Sequence, residues 1–78
     1  MRKFPSIKAN RLLRILTSEP LNYRIIRNKG SHMTLTSIGR EKITYAFHPN
    51  VEVSGRQVKK YLISAARLSE EEAWKLIH

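Results

Sequence analysis

Residues 23–48 read YRIIRNKGSHMTLTSIGREKITYAFH, and this stretch decides the fold. It contains three segments rich in β-branched and aromatic residues, at 23–27, 33–36 and 41–48, and such residues favour β-strands. Short runs containing Gly, Asn and Ser lie between the segments and favour turns. The stretch therefore predicts three short strands joined as an antiparallel meander.

The alternation of side chains assigns one face of this sheet to the core and the other to solvent, because successive residues of a strand point to opposite faces. The apolar face would carry Met33, Leu35, Ile43, Tyr45 and Phe47, and the polar face His32, Thr34, Thr36, Lys42, Thr44, Ala46 and His48. One face would be covered by other elements, and the other would be free for a ligand.

Helical patterns flank the strands on both sides. After Ser6, a suitable N-cap, apolar residues recur with the spacing of an amphipathic helix, at Ala9, Leu12, Leu13 and Leu16. Residues 49–53 are interpreted as a connector. A second helical pattern follows Ser54, with apolar residues at Val58, Tyr61, Leu62 and Ala65.

A capping box predicts a third, short helix, because Ser69 and Glu72 have the S-x-x-E spacing in which each side chain bonds the other's backbone N–H. The element order is then α-β-β-β-α-α. The economical arrangement lays the helices on the apolar sheet face. We expect an α+β fold, a three-stranded antiparallel sheet with helices on one face, in a single domain of residues 1–78, since so short a chain supports one core.

The charge balance indicates the class of partner. Fifteen Lys and Arg residues against six Glu and no Asp give a net charge of +9, which favours a polyanion, above all nucleic acid. A basic surface kept for solubility is the alternative. There is no cysteine for a disulfide or thiolate metal site. No apolar run approaches the roughly 20 residues of a membrane span, so we expect a cytoplasmic protein that contacts no membrane.

The polar sheet face carries residues suited to RNA chemistry. Imidazole can take a proton from a ribose 2′-hydroxyl and return one to a leaving oxygen, and His32 and His48 are candidates for this role. Nearby cations, Lys29, Arg27 and Lys42, would stabilise charge on the phosphate. Such cleavage needs no metal and no other cofactor, and three scattered His residues make no convincing metal site.

The same residues allow simpler interpretations. A histidine on an exposed sheet face is more often a surface residue than a catalyst, and the face could bind RNA without cutting it. The double-stranded-RNA-binding domain has the order α-β-β-β-α and reads shape and 2′-hydroxyls. Gly30 could be only a turn residue, and Lys59 part of a solvated helix face. The basic face could also dock an acidic protein.

Three segments resemble the HicA (YcfA-like) toxin family. Residues 22–32, NYRIIRNKGSH, resemble the family segment G-F-x-x-V-R-Q-K-G-S-H, which holds its catalytic histidine. Residues 43–48, ITYAFH, are similar to its V-T-I-P-x-H strand, and residues 54–77 to its helix with a following I-S-R-E-E-F-L tail. Asn22 stands at the family's glycine, and Asn accepts left-handed backbone angles more readily than most residues.

The resemblance covers essentially the whole chain and implies a single HicA-like toxin domain with a double-stranded-RNA-binding-domain-like fold. It implies a type II toxin-antitoxin system acting in the stress response, in which the toxin is an endoribonuclease (mRNA interferase) that cleaves mRNA and arrests growth. A HicB-type antitoxin would cover the active face. By matching position His32 would be the catalytic residue. The residues expected to contact RNA are Lys29, Arg27, Ser31, Gly30, Lys42, His48 and Lys59.

Overall fold

The computed structural model describes residues 3–46, 48 and 50–77. Its elements, in chain order, are β1 (Ile7–Lys8), α1 (Ala9–Thr17), β2 (Arg24–Lys29), β3 (His32–Thr36), β4 (Ile43–Ala46), β5 (Glu52–Val53), α2 (Gly55–Lys59), a π-helical segment (Lys60–Ala65) that continues α2, and α3 (Glu70–Ile77). Strands β2, β3 and β4 form one sheet, and the short strands β1 and β5 form another.

The larger sheet is the predicted antiparallel meander, in the order β2-β3-β4. Strand β2 continues to Lys29 rather than ending at Arg27, because only two residues form the turn before His32 and pairing extends up to that turn. Strand β4 ends at Ala46, the partner of His32, where β3 has no further residue to offer. Phe47, which was assigned to the apolar face, lies outside the described residues.

One hydrophobic core lies between this sheet and the helices. Leu35, Ile43 and Tyr45 are buried on the apolar sheet face, as predicted. The helices contribute Leu12, Leu16, Val58, Leu62, Ala73 and Ile77 to the same cluster. The Tyr45 hydroxyl donates to the Ala9 carbonyl at 2.9 Å, which joins β4 to α1. The fold is therefore α+β, with a three-stranded antiparallel sheet and three helices that cover its apolar face.

The segment before the first helix differs from the prediction. Helix α1 begins at Ala9, so Ser6 is not its N-cap; the Ser6 hydroxyl instead donates to Glu52 Oε1 at 3.3 Å. Ile7 pairs with Val53 in the two-stranded sheet. The interpretation of residues 49–53 as a plain connector is thus wrong for Glu52–Val53, because pairing with a distant segment makes them a strand.

The second helix widens along its length. Ser54 caps its beginning by accepting a hydrogen bond from the Gln57 backbone N–H at 3.3 Å. Further on, the Ala66 N–H donates to the Tyr61 carbonyl five residues back, at 3.0 Å, which is the π-helical pattern. The wider turn moves the buried stripe from the predicted Ala65 to Ala66, which is fully buried.

The capping box before α3 is confirmed in both directions. The Glu72 N–H donates to Ser69 Oγ at 3.1 Å, and the Ser69 N–H donates to Glu72 Oε1 at 2.9 Å. Trp74 packs edge-on against the Phe4 ring, with 5.5 Å between ring centroids, so this tryptophan is a packing residue. Helix α3 is therefore fixed at its first residue and along its apolar face.

Candidate functional site

A two-residue turn positions His32 at the start of β3. Lys29 and His32 are the last pair before the turn, and cross-strand partners have Cβ atoms about 4.5–5.5 Å apart. Gly30 has a φ of 60°, and Ser31, half-buried, has no positive φ. This combination is that of a type II′ turn, which favours glycine at its first central position. The turn therefore places Lys29 and His32 opposite each other on one face of the hairpin.

A β-bulge at Ile26 brings two arginines to the face that carries His32. Arg24 pairs with Thr36 and Arg27 pairs with Thr34, and the register shifts between Ile25 and Arg27. In a regular strand, residues three apart point to opposite faces. Because the bulge inserts one residue, Arg24, Arg27 and Lys29 share one face. We call these three side chains the cationic row.

Four of the predicted residues line one open depression. Its volume is about 460 Å³, and its lining consists of Arg27, Lys29, Gly30, His32 and Thr34. We call it the His32 depression. His32 is exposed in it, and all six residues of β2 are exposed beside it. A shallow site of this kind suits an extended ligand that lies across the surface better than an enclosed small molecule.

The charge around the depression has one sign. None of the Glu residues lies in β2, β3 or β4, and no member of the cationic row has an ion-pair partner among the described residues. Three glutamates lie instead in the first turn of α3, in the layer that covers the apolar sheet face. The polar sheet face is therefore a surface of uncompensated positive charge, which attracts anions.

The other predicted residues lie outside the His32 depression. Lys42 precedes β4 and lines a separate depression with Thr44, Lys60 and Ser64 among others. His48 is exposed and follows the last paired residue of β4. Lys59 Nζ lies 3.7 Å from Glu70 Oε2 and 5.8 Å from the centroid of the Phe4 ring. The structure thus brings Arg27, Lys29, Gly30 and His32 together in one depression, whereas Ser31, in the same turn, is not part of its lining and Lys42, His48 and Lys59 lie elsewhere.

Arg24 is the site residue that the sequence reasoning missed. Two consecutive isoleucines, Ile25 and Ile26, break the alternation of β2, and both are about half exposed, at 45% and 51%. Two apolar residues in succession, flanked by arginines, are the signal that a bulge occurs here. Without the register of β3 beside it, that signal does not tell which arginine changes face.

The tyrosines of the core serve structure rather than chemistry. Burial raises the pKa of Tyr45 to about 12, and its hydroxyl donates to a backbone carbonyl. Burial likewise raises the pKa of Tyr23, whose hydroxyl donates to the Glu41 carbonyl at 2.7 Å. These phenols stay neutral at physiological pH. The group in the described depressions that is best suited to proton transfer near neutral pH is the His32 imidazole.

Three further observations bear on the class of protein. In residues 3–46, 48 and 50–77, no group of three His or Glu side chains is arranged to hold a metal ion. No helix within the described ranges has both the length and the apolar character to cross a bilayer. The chain matches no family model, no curated protein and no solved structure.

Proposed function

We propose that this protein is an endoribonuclease of the HicA toxin type, with His32 as its catalytic base and acid. The observation that carries the proposal is that His32, Arg27 and Lys29 line one open depression on a sheet face without a carboxylate. Proton transfer and phosphate binding are the two functions that metal-independent RNA cleavage requires, and these side chains supply both.

The chemistry we propose is transesterification within the RNA strand. His32 accepts the proton of a ribose 2′-hydroxyl, and the 2′-oxygen attacks the adjacent phosphorus. The bond from phosphorus to the 5′-oxygen of the next nucleotide breaks, and that oxygen receives a proton from the imidazolium. The products are a 2′,3′-cyclic phosphate and a 5′-hydroxyl. Arg27 and Lys29 bind the phosphoryl oxygens and offset the charge that grows on them in the transition state.

Two features of the fold are compatible with the HicA type, the arrangement of helices and strands and the backbone conformation of Asn22. A three-stranded antiparallel sheet with one helix before it and another after it, both on the same side, is compatible with a double-stranded-RNA-binding-domain-like fold. Asn22, at the glycine position of the family segment, has a φ of 51°, so it adopts the left-handed conformation that glycine would adopt there. In this proposal the protein is cytoplasmic, cleaves mRNA and is neutralised by a HicB-type antitoxin that covers the polar sheet face.

The decisive experiment is the substitution His32→Ala with end-labelled single-stranded RNA in excess EDTA. General acid–base groups typically contribute roughly 10²–10⁴ to the rate, so we expect cleavage to fall by that factor while circular dichroism stays unchanged. His48→Ala, outside the depression, should lower the rate far less. A single 2′-deoxy nucleotide at the cleaved position should block cutting there. Cleavage by His32→Ala at the parental rate would contradict the proposal.

A non-catalytic RNA-binding module is the second candidate, favoured by the open shape of the site and by the exposure of the whole of β2. The same experiment separates the two, because a binding module would retain RNA on a filter and give no products. Induced expression in a bacterial host tests the toxin proposal directly. We expect growth arrest from the parental chain, none from His32→Ala, and relief on co-expression of an adjacent antitoxin gene.

A further inference from the structure

We propose that the cationic row binds the backbone of a single RNA strand, leading it from the His32 depression to a second depression at the opposite end of β2. The inference deepens the proposed function by naming the form of the substrate and its path. It adds Arg24 and Arg40, two residues outside the set expected from the sequence, to those that contact RNA.

The spacing of the row suits an extended strand. Lys29 and Arg27 are two residues apart, and the partners of Arg27 and Arg24, Thr34 and Thr36, are also two residues apart. At a rise of about 3.4 Å per residue, successive cations are separated by about 7 Å. This separation is comparable with that of successive phosphates in an extended single strand. Three charges in one line match one backbone, whereas a duplex offers two backbones with a groove between them.

The row ends at a second depression, also of about 460 Å³, which includes Arg24, Thr36 and Arg40 in its lining. We call it the Arg40 depression. The pair Arg24–Thr36 borders it, and the neighbouring pair Arg27–Thr34 borders the His32 depression, so the two depressions are adjacent along β2 and β3. A strand bound at His32 can therefore continue into the Arg40 depression.

Arg40 is held in place by the chain itself. Its guanidinium donates to the Ala66 carbonyl at 3.0 Å and to the Pro20 carbonyl at 3.3 Å. Both acceptors are uncharged backbone carbonyls, so neither hydrogen bond neutralises the guanidinium, although its charge also helps to lower the pKa of Glu72. A fixed cation loses little conformational entropy when an anion binds. Arg40 therefore provides a positioned charge at the far end of the path.

The described part of the polar sheet face offers no Phe, Tyr or Trp ring on which bases could stack. Phe4, Tyr23 and Tyr45 are buried, and Tyr61 and Trp74 pack against the core, so His32 is the one described aromatic side chain on that face. Single-strand binders that read bases stack them on such rings. Binding through phosphates and sugars alone predicts affinity that depends on strand length and salt and hardly on sequence.

The test measures binding to 2′-O-methyl oligonucleotides, which lack the attacking hydroxyl, so that it does not depend on cleavage. Fluorescence anisotropy is followed against salt for strands of about 4 and about 12 nucleotides. For the longer strand, Arg24→Gln should lower affinity roughly two- to fivefold, as expected for an exposed ion pair. It should also reduce the slope of log K against log salt by about 0.7, the value for one phosphate contact of a single strand.

Two matched variants identify the cause. Arg24→Lys keeps the charge and should retain most of the parental salt slope. Arg14→Gln removes an exposed cation from α1, on the layer covering the apolar sheet face, and should leave the slope unchanged. An unchanged slope in Arg24→Gln, an equal loss in Arg14→Gln, or tighter binding of a duplex would each overturn the inference. Failure of His32→Ala to stop cutting would contradict the proposed catalysis alone, because the binding assay uses RNA that cannot be cut.

Discussion

Lys59 and Lys75, in the helical layer, each lie 3.7 Å from a glutamate oxygen, at Glu70 and Glu71. The cations of β2 have no such partner among the described residues. A surface ion pair contributes only about 0–1 kcal/mol to stability, so the pairs of the helical layer are a minor structural element. A row of unpaired like charges opposes folding, by contrast. The hairpin keeps three such cations on one face, an arrangement that the proposed RNA binding would use.

The largest expected effect is a loss of stability in the helical layer that the exposed hairpin should not show. Leu62 is fully buried in the π-helical segment, so its replacement by Ala should lower the free energy of unfolding by about 2–5 kcal/mol. A domain of this length is stabilised by roughly 4–12 kcal/mol. His32→Ala, on the exposed hairpin, should change it by less than about 0.5 kcal/mol. Urea titrations followed by circular dichroism measure both.

Leu62→Met serves as the control, because it nearly conserves volume and should lose less than about 1.5 kcal/mol. It remains folded if Leu62→Ala does not. A destabilisation by His32→Ala as large as that by Leu62→Ala would mean that loss of cleavage reports unfolding, and the comparison between the two regions would fail.

Sequence reasoning succeeded where the deciding interaction is local. The stripe of Leu12 and Leu16 follows from the period of a helix, and the Ser69 capping box acts across three residues. The buried Ile43 and Tyr45 follow from the period of a strand. Each of these signals lies within a few residues of the structure it determines, so a single sequence is sufficient to find it.

The rest depends on segments that are distant along the chain. Glu52–Val53 becomes a strand only because Ile7–Lys8 lies beside it, and no property of the five residues 49–53 reports that partner. The bulge at Ile26 depends on the register with β3. Of the candidate site, the turn and His32 were therefore predictable, whereas the position of Arg24 on the same face, and the separation of Lys42 from His32, required the sheet.

The next largest effect is expected from replacing either of two turn glycines, one beside His32 and one outside the His32 depression. Gly30 and Gly39 both have positive φ, 60° and 78°, and an added Cβ would meet no atom within 4 Å at either position. Replacement by Ala should therefore cost only backbone strain, about 1–2 kcal/mol at each. Gly30→Ala should lower cleavage as well, because it moves Lys29 relative to His32. Gly39→Ala should leave cleavage intact, and equal losses of activity would show that strain anywhere in the sheet is sufficient.

The smallest expected effect concerns the N-terminus of α3. Ser69→Ala removes the hydroxyl that accepts the Glu72 N–H and should cost about 1 kcal/mol, the usual contribution of an N-cap, with cleavage at permissive temperature unchanged.

The same capping box predicts how stability depends on pH. The hydrogen bond from the Ser69 N–H lowers the pKa of Glu72 below its ordinary value of 4.5. A carboxyl whose pKa is lower in the folded state stabilises the protein above its unfolded pKa, and this contribution is lost as pH falls through the folded pKa. Stability should therefore decrease below about pH 4.5. Glu72→Gln can still accept the Ser69 N–H but does not titrate, so its acid-side decrease should be shallower. Glu71→Gln changes the net charge equally and leaves the capping box intact. Thermal unfolding scans across the acid range should thus show the parental decrease for Glu71→Gln; if both glutamine variants flatten it alike, general charge repulsion rather than the cap governs acid stability.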